Sequence, residues 1–219
     1  MALAATDREA RERAQFVLRL RQRGLSDLRV LRALELTPRS FFMAQRYADI
    51  AARDIALPIG GGQTAPPPST VAQMIEALDV QSHHRVLEIG AGSGFASALL
   101  AALGAEVVAL ERSPSLAAEA AARLDAFGAK NVRVLHGDGL AVDAVDGPFD
   151  RVLVHALIEP PAPRLTRWLG AGGALVAAIA DEDLQRIVRL TATPQGLQAE
   201  AFGVVRTLTP LAAGLMRAL

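Results

Sequence analysis

Three short stretches of this chain carry residue types that recognise a nucleoside. The first is Gly90-Ala91-Gly92-Ser93-Gly94, which follows the run Val86-Leu87-Glu88-Ile89. Glycines directly after a buried strand permit a tight turn and let a ligand approach the main chain, at the sheet edge where open α/β folds bind ligands. A dinucleotide GxGxxG would need its third glycine at position 95, which is phenylalanine, so the spacing is GxGxG. The second is Glu111, with Arg112 beside it, at the end of the next apolar run. A carboxylate about twenty residues after the first glycine can accept hydrogen bonds from both ribose hydroxyls. The third is Gly137-Asp138-Gly139 after a third apolar run, which sets an acid within reach of an adenine amine. Each alone is an ordinary turn or a solvated helix cap. Together, on successive strand–helix units, they define a nucleoside site. Glu88 is an acid inside an apolar strand: it either bonds the amides of the glycine turn or shapes the far end of the same pocket.

Positioning three such features requires parallel strands. Short apolar runs predict strands over 86–89, 107–110, 132–135, 151–156 and 174–179, alternating with helices over 96–103, 114–127 and 164–169. Ser113-Pro114 supplies an N-cap and a first-turn proline. The alternation implies right-handed crossovers and an α/β, doubly wound, mostly parallel Rossmann-like sheet. Runs over 184–190 and 197–206, separated by TATPQG, predict a terminal antiparallel hairpin. Upstream lie two amphipathic helices. One spans 7–23, with Ala14, Val17, Leu18 and Gln22 or Leu25 as its stripe and Gly24 as its stop. The other starts from Ser26 as N-cap and carries Leu28, Leu31 and Leu34. The breaker-rich stretch 55–68 is expected to be irregular, and a loop of that length in a compact domain is a candidate binding loop. The expected organisation is one domain over 1–219: a helical cap (1–54), a substrate loop (55–70) and an α/β core (71–219).

Composition narrows the chemistry. The 219 residues hold 23 basic and 23 acidic side chains, which argues against a polyanion-binding surface and hence against a nucleic-acid partner. There is no cysteine, so thiolate metal sites and thiol nucleophiles are excluded. The histidines at 83, 84, 136 and 155 lack metal-ligand spacing, and no metal is expected. His155 ends a strand facing the site, where it either orients an acceptor oxygen or sits as a satisfied rim histidine. No apolar run approaches the roughly 18 to 20 residues of a membrane span, and no signal core opens the chain. A cytoplasmic protein with no membrane partner is expected.

GxGxG is the pattern of S-adenosylmethionine sites, and the chain resembles one family of S-adenosylmethionine-dependent methyltransferases, the protein-L-isoaspartate O-methyltransferases. The resemblance runs through RGLSDLRVLRALELTPRSFF (23–42), ALPIGGGQT (56–64), RVLEIGAGSGF (85–95), NVRVLHGDG (131–139), FDRVLVHA (149–156), LGAGGALV (169–176) and VVRTLTPL (204–211). It implies methyl transfer from S-adenosylmethionine to a carboxylate of isomerised Asp or Asn residues in damaged proteins, with 88, 90–94, 111, 112, 138 and 139 holding the cofactor. It further implies that the LPIGGGQT loop holds the substrate carboxylate, which makes Gln63 and Thr64 site candidates. The family continues GQT with x-S-Q-P and regards that serine as its active-site residue. Here Pro66 stands in its place, and proline has neither hydroxyl nor amide donor. Ser69 and Thr70 lie just downstream and either substitute for it or cap the following helix. Arg53, where the family carries an aromatic near its acid, either binds the substrate carboxylate or is simply exposed. Two rival readings remain: a protein that binds S-adenosylmethionine without transfer, and a methyltransferase acting on a small molecule or another carboxylate.

Overall fold

The computed structural model describes residues 2–22, 24–141, 145–160, 162–181, 183–205 and 208–210, with the backbone alone for 2–10 and 13. Seven strands form one sheet: β3 (Arg85–Ile89), β4 (Glu106–Glu111), β5 (Val132–His136), β6 (Phe149–Ile158), β7 (Leu169–Asp181), β8 (Leu184–Thr193) and β9 (Gly196–Val205). Their spatial order is β5-β4-β3-β6-β7-β8-β9. The first five are parallel, and β8 and β9 add antiparallel. β3 is buried from Val86 to Ile89 without alternation, as a strand covered by helices on both faces must be. β3 pairs with β4 on one side and β6 on the other, so the winding reverses there and a crevice opens at the carboxyl ends of β3 and β6.

Alternate strand residues feed two apolar layers. Val86, Val107, Leu153, Val176 and Ile187 face the layer shared with α1 (Ala2–Gln22), α2 (Leu28–Leu36), α3 (Pro68–Leu78) and α4 (Phe95–Ala102). Leu87, Val108, Val152, Val154 and Leu175 face the layer holding Leu165 and Trp168. α5 (Pro114–Phe127) starts on the expected cap: Ser113 Oγ accepts the Leu116 N–H. Between α2 and the sheet, two 3₁₀ turns (Arg39–Phe42 and Gln45–Ile50) bring Phe42 onto Phe95 and Phe127, with ring centroids 6.0 and 5.2 Å away. This contact fastens the N-terminal segment to the residue that follows the glycine turn.

Several local expectations are corrected. The buried stripe of α1 is Phe16 and Leu20, and Leu18 is 56% exposed. In α2 the buried set is Val30, Leu31, Ala33 and Leu34, while Leu28 faces out. Asp27, not Ser26, is the N-cap of α2 and accepts the N–H groups of Arg29 and Val30; Ser26 instead donates to Glu76 of α3. The 164–169 helix is a single turn, α6 (Pro163–Thr166), and Leu169 already belongs to β7. The end of the last expected strand, at 206, lies outside the described residues.

The largest correction concerns 55–68, which is regular. Leu57–Gly60 (β1) and Gln63–Ala65 (β2) pair as an antiparallel hairpin. The glycines that read as breakers are its turn: Gly61 and Gly62 take φ of +55° and +70°, the left-handed conformations that a tight hairpin demands. Nor does Ser69 or Thr70 cap the next helix. α3 begins at Pro68 behind Pro67, which makes no side-chain cap bond, and the Ser69 N–H is taken by Asp54 Oδ1 at 3.0 Å. A carboxylate at the helix start replaces the cap, which the helix dipole favours.

Candidate functional site

The crevice between β3 and β6 is a cavity of about 390 Å³. Its floor is the glycine turn. Gly92 adopts φ +55°, which favours glycine, and this aims its N–H at Glu111 Oε2, 2.9 Å away. The other carboxylate oxygen, Oε1, accepts the Ser113 N–H at 2.9 Å. Two backbone donors thus fix the Glu111 carboxylate, and its remaining lone pairs are available at the cavity wall, which Glu111 and Arg112 both line. After the next strand, β5, Asp138 lines the cavity and accepts the Leu140 N–H. The flanking Gly139 leaves no room for a side chain, since a Cβ there would lie 2.7 Å from Ile89. Its carbonyl is held by the indole N–H of Trp168 at 3.1 Å. Trp168 thereby anchors the acidic turn.

The opposite wall is the β1–β2 hairpin, through Ile59 and residues 62–66. Its two ends are tied by one buried side chain. Arg39 is 4% exposed, and its NH1 donates to the carbonyls of Ala51, Arg53 and Ile55, while NH2 donates to those of Ala65 and Pro66. Burial pushes its guanidinium down to about 10, against the pull of Asp54, so it stays charged at neutral pH. A planar fork with five N–H groups can reach both segments at once, which a lysine ammonium cannot. The rim closes with Leu208, Thr209 and Pro210, held by Leu157 N–H to Thr209 O at 2.8 Å and by reciprocal bonds between Gln185 and Leu208.

The cavity therefore gathers Gln63, Thr64, Pro66, Gly90, Ala91, Gly92, Ser93, Glu111, Arg112, Asp138, Gly139 and His155 from the sequence-predicted set. Gly94 caps α4 behind the turn. Three others do not line it. Arg53 is exposed, Ser69 is engaged with Asp54 through its backbone, and Glu88 lies wholly buried behind the wall. Glu88 makes no bond to the glycine turn; it pairs with Ser97 and His155. Arg39, Ser97 and the 208–210 rim went unassigned in the sequence, because a charge inside an apolar layer and a wall supplied from the far end of the chain leave no local pattern.

A parallel sheet that reverses at β3, a glycine turn bonded to an acid on the second strand and a second acid on the third define an S-adenosylmethionine-dependent methyltransferase of class I. The residues fit that cofactor: Gly139 keeps the cradle open, and the Glu111 carboxylate, fixed by two backbone N–H groups, lines the cavity with acceptor capacity to spare. A family model described as protein-L-isoaspartate(D-aspartate) O-methyltransferase matches residues 11–205. Proteins named protein-L-isoaspartate O-methyltransferase are similar to this chain throughout. The one from Azorhizobium caulinodans is 42% identical over 96% of this chain and 98% of its own, and the one from Xanthobacter autotrophicus is 43% identical over 90% of each. A solved Plasmodium falciparum protein-L-isoaspartate O-methyltransferase, in complex with S-adenosyl-L-homocysteine, shares the fold with a TM-score of 0.77 at 19% identity, covering 91% of this chain and 98% of its own. The chain belongs to the protein-L-isoaspartate O-methyltransferase family.

Proposed function

We propose that this protein transfers the methyl group of S-adenosylmethionine to a carboxylate oxygen of isoaspartyl residues in proteins and peptides. The carrying observation is the Arg39-clamped hairpin, which closes the cavity opposite Glu111 and Asp138 and so sets an acceptor surface across from a nucleoside surface. The bound cofactor supplies an activated methyl on a sulfonium, and a carboxylate is already ionised at neutral pH, so no strong base is needed. The work of the protein is alignment and exclusion of water, effects that contribute on the order of 7 to 11 kcal/mol. On this reading Glu111 accepts the ribose hydroxyls, Asp138 the adenine amine, and the 90–94 turn gives the main chain close approach. Gln63 and Thr64 face the acceptor. Position 66 offers the acceptor nothing polar, because Pro66 has no N–H and its carbonyl is taken by Arg39 at 2.9 Å. That feature favours a second reading, transfer to a different carboxylate such as a small acceptor.

The proposed organisation is a helical cap (1–54), an acceptor segment (55–70) and a cofactor-binding core (71–219), acting in the cytoplasm without nucleic-acid or membrane partners. Among the described residues no helix is long and apolar enough to cross a membrane. Labelled methyl transfer to an isoaspartyl peptide, compared with its aspartyl twin, tests the reading. Label on the isoaspartyl peptide alone is expected. Label on neither, with S-adenosylhomocysteine bound by calorimetry, sinks it, and label on small carboxylates alone selects the second reading.

A further inference from the structure

The turn that carries Asp138 has a reactivity of its own. Only Asp138 and Asp146 precede a glycine in this chain. A glycine has no Cβ to shield its own nitrogen, so an Asp-Gly peptide lets that nitrogen reach the preceding side-chain carbon. At 139 the glycine is obligatory, because a Cβ there would lie 2.7 Å from Ile89. Asp138 Oδ1 accepts the Leu140 N–H at 2.9 Å, and the Asp138 carbonyl accepts the Ala141 N–H at 2.9 Å. A side chain bonded two residues on is folded back across the intervening peptide, towards the Gly139 nitrogen. Asp138 is also partly exposed and lines the cavity, so water has access to it from that side.

We propose that Asp138-Gly139 is a site of spontaneous isomerisation that bound S-adenosylmethionine protects. The Gly139 nitrogen attacks Asp138 Cγ. A C–N bond forms, and one carboxylate oxygen leaves as water with the amide proton and a proton from solvent. The five-membered imide then takes up water at the original main-chain carbonyl, whose bond to the Gly139 nitrogen breaks. The chain now runs through the side-chain carbon, and the main-chain carboxyl is left free. One added main-chain carbon disturbs the nucleoside wall twice over. The Leu140 N–H loses its acceptor, and Gly139 is pushed out of a place set by Ile89 on one side and by the Trp168 indole on its carbonyl, 3.1 Å away. A nucleoside amine bonded to Asp138 holds the carboxylate away from the attack and covers the wall that water would enter. The protection rests on the placement of adenine given above; the isomerisation rests on the chain alone.

The test keeps the protein at neutral pH and physiological temperature, with and without S-adenosylhomocysteine. Digestion with a protease that cuts before aspartate but not before isoaspartate, read by mass spectrometry, follows both Asp-Gly peptides in one sample. Asp146-Gly147, exposed and outside the cavity lining, is the internal reference. Without ligand, isoaspartate at position 138 should accumulate, and S-adenosylhomocysteine binding should fall in proportion. With ligand at a hundred times its dissociation constant about one molecule in a hundred is free, so formation at 138 should slow at least about tenfold while 146 stays within about twofold. Asp138→Glu, which would have to close a larger ring, should start with weaker binding and lose none of it on ageing. A position 138 that stays aspartyl without ligand overturns the proposal, as does formation there at one rate with and without bound ligand. Should the fresh protein fail to bind S-adenosylhomocysteine, the cofactor reading fails separately. The ligand-free sample still decides whether 138 isomerises.

Discussion

On the proposed reading, a single side chain at position 66 bears on how the acceptor is held. Pro66 lines the cavity, has no donor, and gives its only acceptor to Arg39. Pro66→Ser introduces a hydroxyl at that wall without touching the Arg39 bond, and we expect kcat/KM for an isoaspartyl peptide to rise about tenfold, within the range of one charge-assisted hydrogen bond. No gain means that the donor has passed to another group on the wall. Glu111 is the counterpart on the nucleoside side. Its loss removes the proposed ribose acceptor and also frees the Gly92 and Ser113 N–H groups that shape the turn. Glu111→Ala should weaken S-adenosylhomocysteine binding by at least about 1 kcal/mol in calorimetry, and unchanged affinity would remove Glu111 from the site. Both residues were legible beforehand, one from spacing and one from a departure within a matched motif. Arg53 and Ser69 were legible only as residue types near that motif, and neither lines the cavity.

Among the elements, the hairpin and its clamp matter most for the acceptor. Arg39 holds five carbonyls from both ends of the hairpin. Arg39→Met leaves these buried acceptors without their donor, so melting should occur at lower temperature, and a slackened hairpin should raise KM for the acceptor about tenfold. Cofactor affinity should hardly move, because the Glu111 and Asp138 walls belong to other elements; an equal loss of both affinities would show that Arg39 serves the whole fold instead. Arg39→Lys should recover only part of the loss, having one nitrogen to serve two segments. The 55–68 stretch was misread as irregular because its four prolines and three glycines count as breakers in any local tally. In three dimensions two of those glycines make the turn. The central strands, by contrast, were visible because burial on both faces forces an unbroken apolar run.

For the molecule as a whole, the site and the stability are linked by mass action. A ligand that binds only the folded state at a hundred times its dissociation constant adds about 2.7 kcal/mol, which for a chain of this size is roughly 5 to 10 °C in Tm. S-adenosylhomocysteine should produce a shift of that order in a thermal scan, and much less in the Glu111→Ala variant. Protons act in the opposite direction through His84, whose Nδ1 accepts the Gln81 N–H where α3 turns into β3. Burial, then the nearby Arg151 and His83 charges, hold its imidazole below the ordinary value of 6.5. The unfolded chain therefore takes up the proton first, so this contribution is complete above that value and is lost as the pH falls below it. The wild type should lose more Tm between pH 7.5 and 5.5 than His84→Asn, which keeps an acceptor and does not titrate; equal losses would clear His84. By itself the sequence determined the parallel sheet, the glycine turn after the first of its strands and the acids at the ends of the next two, because those depend on runs, spacings and backbone conformations that are local. Only the tertiary structure decided what faces them. The hairpin wall, the buried Arg39 clamp, the Glu88–His155 pair and the 208–210 rim join residues tens of positions apart, and burial, which sets their charges and partners, is a property of the packed molecule.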